Sequence, residues 1–286
     1  VVRNATAYRE IHGESDRLPG LIVDRYGPLL VLQTLSFGMD QRKRRFAEML
    51  RELTGVDAVY ERNEVKTRAL EGLPLVRGFL LGEGPTTVEI TEGPARFLVD
   101  VAKGQKTGWF CDQRDNRLVA ASLAKGAHVL DAFCHTGAFG IHAALQGAAS
   151  VEGLDSSAEA IAGAVAHAEL NGVPGQCRYR ECDVLRELPA LVRGGAQYDM
   201  VILDPPAFAK TKAAAPSALT GYKQINLRAM QLLRPEGVLV TCSCSHHVGE
   251  EALWGMIQAA ARDARRQIRL LEVRAQAKDH PILAGM

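Results

Sequence analysis

The run Val129-Leu130-Asp131-Ala132-Phe133-Cys134-His135-Thr136-Gly137-Ala138-Phe139-Gly140 constrains the fold more than any other stretch of the chain. Its apolar start reads as a buried strand with Asp131 at the carboxyl end, and a glycine-containing turn leads into a helix from about Thr136. About 20 residues on, Val151-Glu152-Gly153-Leu154-Asp155 offers a second strand that also ends in an acid. Strand, turn, helix, strand and acid make the first βαβ unit of a doubly wound, Rossmann-like parallel sheet. Ligands of such α/β sheets sit outside the carboxyl ends of the strands.

What is missing narrows the ligand. No G-x-G-x-x-G follows the first strand, so a pyrophosphate would lack its approach to backbone amides at a helix N-terminus. A nucleoside whose ribose hydroxyls are held by Asp155 needs no such cradle. The unit therefore points to S-adenosylmethionine and away from NAD. From residue 127 onward, strands and helices alternate as βαβ units do. Strands are expected near 127–131, 150–154, 177–181, 198–204 and 237–242, and a last one over Ile268–Val273. Helices are expected near 136–146, 157–171, 184–193, 219–234 and 249–265, with Ala213-Ala214-Ala215-Pro216 read as a mobile loop.

Residues 1–95 read as a separate small α+β domain, with a linker at Gly93-Pro94 leading into the α/β domain of residues 96–286. Within the first domain, Leu21–Tyr26 and Leu29–Leu35 are strand-like, and Gly27-Pro28 between them signals a hairpin. A helix from about Met39 to Leu53 carries Arg42, Lys43, Arg44 and Arg45. That basic run reads first as a solvated helix face and second as an RNA phosphate contact. Further on, Gly104-Gln105-Lys106-Thr107-Gly108 and Asp112-Gln113-Arg114-Asp115-Asn116-Arg117 form a loop-then-helix segment dense in donors. Both a polar loop with a capped helix and recruitment to a binding site fit it.

Composition excludes some classes. With a formal charge of +1 the chain has no overall basic bias, so a nucleic-acid partner requires a local patch. No apolar run of about 18 residues or more and no signal-like start occurs, so neither membrane insertion nor export is expected. The six cysteines lie in or beside predicted core elements, which suits a reducing cytoplasm better than a secreted disulfide framework. The chain begins at Val1 rather than Met and stops at Gly285-Met286, so both ends are expected to belong to something longer.

Four strand ends carry acids in turn: Asp131, Asp155, Asp183 and Asp204. These ends line one crevice in an open α/β sheet. Asp131 suits the methionine part of the cofactor, Asp155 the ribose hydroxyls and Asp183 the adenine amino group, although Asp183 fits a helix N-cap as well. The run Val201-Ile202-Leu203-Asp204-Pro205-Pro206-Ala207-Phe208 delivers Asp204 to the rim, followed by a stiff turn that cannot donate amide hydrogens. An acid so placed can bond a nucleobase edge, and Phe208 can stack on a base. A further strand, Gly237–Thr241, ends in Cys242-Ser243-Cys244-Ser245-His246-His247. A thiolate that adds to C6 of a pyrimidine makes C5 nucleophilic, and Asp204 could protonate N3. Three other readings apply to the cysteines. Cys134, Cys177 and Cys242 read best as small buried hydrophobes. Zinc on Cys242, Cys244, His246 and His247 lacks paired ligand spacing. A Cys-His hydrolase lacks an orienting group and an oxyanion hole.

With these residues assembled, the chain resembles bacterial class I methyltransferases of large-subunit ribosomal RNA, specifically the cytosine-C5 family with a DPPAF motif. The likeness is carried by His12-Gly13-Glu14-Ser15-Asp16 through Tyr26, by Gly104–Gly108 with Asp112–Arg117, and by Asp131-Ala132-Phe133, Asp204–Phe208 and Ser243-Cys244-Ser245. It implies a two-domain enzyme that uses S-adenosylmethionine and acts on large-subunit ribosomal RNA, with the first domain resembling the family's small mixed domain and facing the RNA; the oligomeric state, monomer or homodimer, stays open. Cys244 takes the place of the nucleophile and Asp204 that of the base-binding acid, with Pro205, Pro206 and Phe208 on the substrate. The cofactor falls to Gln105, Lys106, Thr107, Gly108, Gln113, Arg117, Asp131, Phe133, Thr136, Gly137, Asp155, Ser156, Asp183 and Asp204, and no metal is implied.

The family's N-terminal PUA domain is not in the chain, and the chain ends soon after Asp279-His280-Pro281, before the last strand of the usual seven-stranded sheet. Better-known RNA cytosine-C5 enzymes carry a cysteine beside the motif proline. Here Pro206-Ala207 stands there, so the base that removes the C5 proton is not identified. Methylation of a ring or exocyclic nitrogen, which needs no cysteine, is the nearest rival, and a non-catalytic RNA assembly factor is another.

Overall fold

The computed structural model describes residues 2, 4–208, 211–245 and 248–285. The chain packs as two compact units, Val1–Asn116 with Arg274–Met286, and Arg117–Val273.

In the first unit β1 (Ala7–His12), β2 (Leu21–Tyr26), β3 (Leu29–Thr34), β4 (Ala58–Asn63) and β5 (Val76–Leu81) form one sheet in that spatial order. Gly27-Pro28 makes the expected tight turn, with Tyr26 opposite Leu29. β3 and β4 run parallel because α1 (Phe37–Asp40) and α2 (Lys43–Thr54) carry the chain back between them. The single helix expected over 39–53 is therefore two. α2 packs Phe46, Ala47 and Leu50 on Leu21, Val23, Leu30 and Leu32, while Arg44 and Arg45 point outward beside Glu48.

Gly93-Pro94 is a hairpin turn rather than a linker. It joins β6 (Thr87–Glu92) to β7 (Ala95–Asp100), with Glu92 opposite Ala95. Beyond it, α3 (Arg114–Ser122) opens. The returning C-terminal segment is clamped within the first unit. Asp279 accepts two guanidinium N–H bonds from Arg114 at 2.8 and 2.9 Å and the backbone N–H of Arg9 at 2.8 Å.

The second unit is built on β8 (His128–Ala132), β9 (Ser150–Asp155), β10 (Cys177–Glu181), β11 (Tyr198–Leu203) and β12 (Leu233–Thr241). All four pairings are parallel and the spatial order is β10-β9-β8-β11-β12. The connecting helices are α4 (Ala138–Leu145), α5 (Ala158–Leu170), α6 (Val184–Arg193) and α7 (Ala215–Leu232), and α8 (Glu250–Ala264) follows β12. Helices cover both faces, so the strands are apolar on both. Leu130, Ala132, Val201 and Leu203 face the cluster that holds Val184, Leu188, Tyr222, Ile225 and Ala229. Val129, Met200 and Ile202 face Phe139, Ala143, Ala144 and Ala168. The period of two along each strand sorts these residues onto opposite faces.

Three further expectations are corrected in the second unit. The Ala213–Pro216 patch is not a loop: α7 already starts at Ala215, with Pro216 in its first turn where a missing N–H costs nothing. β12 begins at Leu233 rather than 237, and an irregularity between Tyr198 and Met200 of β11 takes up the extra residues. Residues 268–273 form no strand, and Leu270, Leu271 and Val273 remain 54%, 73% and 53% exposed.

Candidate active site

In the second unit the strand order reverses between β8 and β11, where the helices that follow them depart to opposite sides. A crevice at that switch point is where open α/β sheets bind ligands. Asp131 is on β8 across from Ile202, and Asp204 follows the last residue of β11, so both acids stand beside that opening.

Asp131 is fully buried. Its Oδ2 accepts the backbone N–H of Gly140 at 2.9 Å, while its Oδ1 has no hydrogen-bond partner among the described residues. Burial pushes this carboxyl up to about 7; the Gly140 N–H opposes the shift, and Asp204 and Asp155 add to it. A buried, orphaned carboxylate oxygen is a costly feature unless a cation or donor completes it.

The turn after β8 is strained. Phe133 (φ 65°), His135 (φ 49°) and Gly137 (φ 80°) all have left-handed backbone. Asp155 at the end of β9 ties this turn to the next one, accepting the N–H of His135 at 2.8 Å and of Ser157 at 2.9 Å. The helix expected from Thr136 begins at Ala138, with Gly137 as its N-cap. A side chain at Gly137 would meet the Tyr179 hydroxyl at 2.7 Å, so the turn closes tightly only with glycine there. Thr136 is partly exposed and its carbonyl bonds the His167 ring at 3.0 Å; Ser156 is exposed. Asp183 is the N-cap of α6: its Oδ1 takes the Leu185 N–H at 3.0 Å and its Oδ2 pairs with Arg186 at 3.2 Å.

The DPPAF and SCS segments lie side by side at the ends of β11 and β12. The Cys242 N–H continues the ladder to the Leu203 carbonyl at 2.8 Å. Two residues on, the Cys244 thiol donates to the Pro205 carbonyl at 3.7 Å. Of the six cysteines, Cys244 is the exposed one; Cys111, Cys134 and Cys177 are buried, and Cys182 and Cys242 are half-buried. Burial pushes the Cys177 thiol up to about 11 and raises Cys134 further still, which leaves both as inert hydrophobes. Pro206 is exposed, Pro205 is buried, and Asp204 and Phe208 are partly buried. His246 and His247, the other members of the zinc alternative, lie outside the described residues. Among the described residues no group of three or more His, Cys, Asp or Glu is placed to hold a metal ion.

The remaining expected site residues belong to the first unit, except Arg117, which opens the second and is buried. Gln105 is exposed, and Gly108 (φ 142°) sits where a side chain would strike Val99. Lys106 pairs with Asp112 at 2.6 Å and lies 4.7 Å from the Phe110 ring. Thr107 is buried with its hydroxyl 2.7 Å from the Tyr26 hydroxyl and 2.5 Å from Asp24. Gln113 accepts a bond from Asn116 at 2.7 Å. Among the described residues no helix is long and apolar enough to cross a membrane.

Comparison with known proteins agrees with this geometry. Residues 40–282 match the family described as S-adenosylmethionine-dependent methyltransferase. The chain is 43% identical over 279 residues to the ribosomal RNA large subunit methyltransferase I of Shewanella denitrificans, covering 97% of this chain and 70% of that one. The protein of the same name from Aeromonas hydrophila is 42% identical over 280 residues, with the same shares. Among solved structures, one assigned as a methyltransferase and complexed with SAH superposes with a TM-score of 0.85 at 23% identity, covering 99% of this chain and 72% of that one. A SAM-dependent methyltransferase from Agrobacterium tumefaciens does so with a TM-score of 0.66 at 18% identity, covering 92% and 80%.

Proposed function

Because the chain belongs to the S-adenosylmethionine-dependent methyltransferase family, alongside the large-subunit ribosomal RNA methyltransferase I proteins, we propose that it forms 5-methylcytosine in large-subunit ribosomal RNA through a covalent bond from Cys244 to C6. The observation that carries this reading is the exposure of Cys244 alone among six cysteines, beside the Asp204-Pro205-Pro206 turn.

The cofactor supplies an electrophilic methyl group on a sulfonium centre. Its methionine end carries a cation of the kind that the buried, unpartnered Oδ1 of Asp131 lacks. Phe133, Thr136 and Gly137 shape the turn that follows Asp131, and Asp155, which holds that turn, would take the ribose hydroxyls. The chain's own residues then activate the base. The Cys244 thiol gives its proton to solvent and adds to C6 as the thiolate, while Asp204 in its protonated form delivers a proton at N3, so that C5 becomes enamine-like. After C5 has taken the methyl group, a solvent base takes the C5 proton, the pair left behind re-forms the C5–C6 double bond and expels the thiolate, and N3 returns its proton to Asp204. Phe208 and the two prolines would border the ring, with Pro206 the exposed member.

The test uses ribosomal RNA substituted with 5-fluorocytidine, on which the final elimination is blocked. Wild type with S-adenosylmethionine should give a covalent band on a denaturing gel, and Cys244→Ala should give none. A band that persists in Cys244→Ala and vanishes in Cys242→Ala would move the nucleophile. Methyl transfer to ordinary RNA by Cys244→Ala would replace this reading with nitrogen methylation.

A further inference from the structure

Tyr222 is the point where the two active-site loops of the second unit are joined. It lies on α7, is fully buried, and belongs to none of the motifs that mark the site. Its hydroxyl is 2.9 Å from the Ser245 hydroxyl and accepts from the Ser243 hydroxyl at 3.2 Å. The Ser245 N–H closes the cluster onto Ser243 at 3.3 Å. The two serines flank Cys244. With both turned inward on Tyr222, the residue between them is forced outward, where its thiol rests on the Pro205 carbonyl.

The ring of the same tyrosine holds the other loop. Phe208 packs on it with centroids 4.7 Å apart and planes tilted by 44°. Gly221 makes the seat for Phe208, since a side chain there would lie 3.1 Å from its ring. One side chain thus fixes the Asp204–Phe208 turn through its ring and the Ser243–Ser245 loop through its oxygen.

We propose that Tyr222 is a positioning residue for the methyl-transfer reaction, setting the Cys244 thiol against the Asp204-Pro205-Pro206 turn that holds the base. This rests on the assignment of Cys244 as nucleophile. A nucleophile held by its neighbours' hydroxyls loses its attack geometry when the anchor oxygen is removed, and a displacement of about 1 Å can cost up to about a hundredfold in rate.

The test is Tyr222→Phe, which keeps the ring that carries Phe208 and removes only the oxygen. Adduct formation on 5-fluorocytidine RNA and kcat on ordinary RNA should fall about tenfold or more, with KM for RNA and the Kd for S-adenosylmethionine within about twofold of wild type. Alkylation by iodoacetamide, followed by mass spectrometry, adds a readout that needs neither RNA nor cofactor. The freed thiol should label faster than in wild type while the protein still takes a single label, so labelling and turnover move in opposite directions. Ser243→Ala with Ser245→Ala should reproduce both changes, and adding Tyr222→Phe to them should cost little more. Turnover and labelling both within twofold of wild type in Tyr222→Phe would overturn the inference. So would a slowed enzyme in which several cysteines become labelled, since that is loss of packing rather than of position. Cys244→Ala separates the two readings: if it retains methyl transfer, the nucleophile is wrong; if it is inactive while Tyr222→Phe is normal, only the positioning role fails.

Discussion

At the scale of single residues, Asp131 carries the sharpest consequence. Its carboxyl titrates near 7, with burial the main cause, so it loses its charge within the range where the enzyme can be assayed. A cationic ligand end binds the ionised form better. The Kd for S-adenosylmethionine should therefore weaken by up to about tenfold per pH unit as the pH falls below 7, and level off above it. Asp131→Asn should bind more weakly at pH 8 and show a flat profile. Calorimetric titration between pH 5.5 and 8.5 checks both, and a wild-type Kd that does not change over that range would take the cofactor's cation away from this oxygen. Strand-end acids such as Asp131, Asp155 and Asp204 could be read in advance because each interrupts an apolar run, which is a one-dimensional pattern. Tyr222 could not, because it meets Ser243 and Ser245 across 21 and 23 positions. Nothing local marks a residue whose meaning lies in a partner brought to it by the fold.

At the scale of elements, β9 and β10 show how a neighbour decides what a strand means. Gly153 stands directly opposite Tyr179 in the parallel pairing, and the ring lies across it. A side chain at Gly153 would be 2.3 Å from the Tyr179 ring and 3.1 Å from the Cys134 sulfur. Gly153→Ala should therefore destabilise the protein by about 1–3 kcal/mol, the usual cost of overpacking. The second change Tyr179→Leu should recover part of that loss, and urea denaturation midpoints measure both. The same dependence on neighbours explains where sequence reading succeeded and failed. β8, β9 and β11 are central, apolar on both faces, and bounded by glycine or an acid, so pattern alone finds them. Residues 268–273 carry an equally strand-like pattern, yet a strand exists only by pairing, and here that segment pairs with none. The Gly93-Pro94 turn failed differently: the same two residues suit a linker and a hairpin, and only the register of β6 with β7 distinguishes them.

At the scale of the whole molecule, the two units carry buried carboxyls whose pKa values are shifted in opposite directions. In the second, Asp131 is raised to about 7, so its contribution to stability is full below the unfolded value near 3.8 and is lost as the pH rises to about 7. In the first, burial would raise Asp279, but the His280 ring nitrogen 3.4 Å away and the hydrogen bonds from Arg114 and the Arg9 amide outweigh it and hold the carboxyl well below its ordinary value. Its contribution is therefore present above pH 4 and is lost only as the pH falls further. Between pH 5 and 7 Asp279 stays ionised and contributes no slope, whereas Asp131 alone accounts for about 2 kcal/mol, stabilising toward pH 5. Scanning calorimetry of the protein without cofactor should show the transition of the second unit rising as the pH is lowered from 7 to 5, while that of the first unit is unmoved by these two groups. Asp131→Asn should abolish the rise. Asp279→Ala should lower the first unit's transition at pH 7, because it leaves the buried Arg114 guanidinium with only its Asp115 contact. Saturating S-adenosylmethionine should raise the second transition more at pH 8 than at pH 6, since at pH 8 the ionised Asp131 has the most to gain from a cation. An equal shift at both pH values would mean that the carboxyl does not change its charge in the complex, and the assignment of its Oδ1 to the cofactor would fall with it.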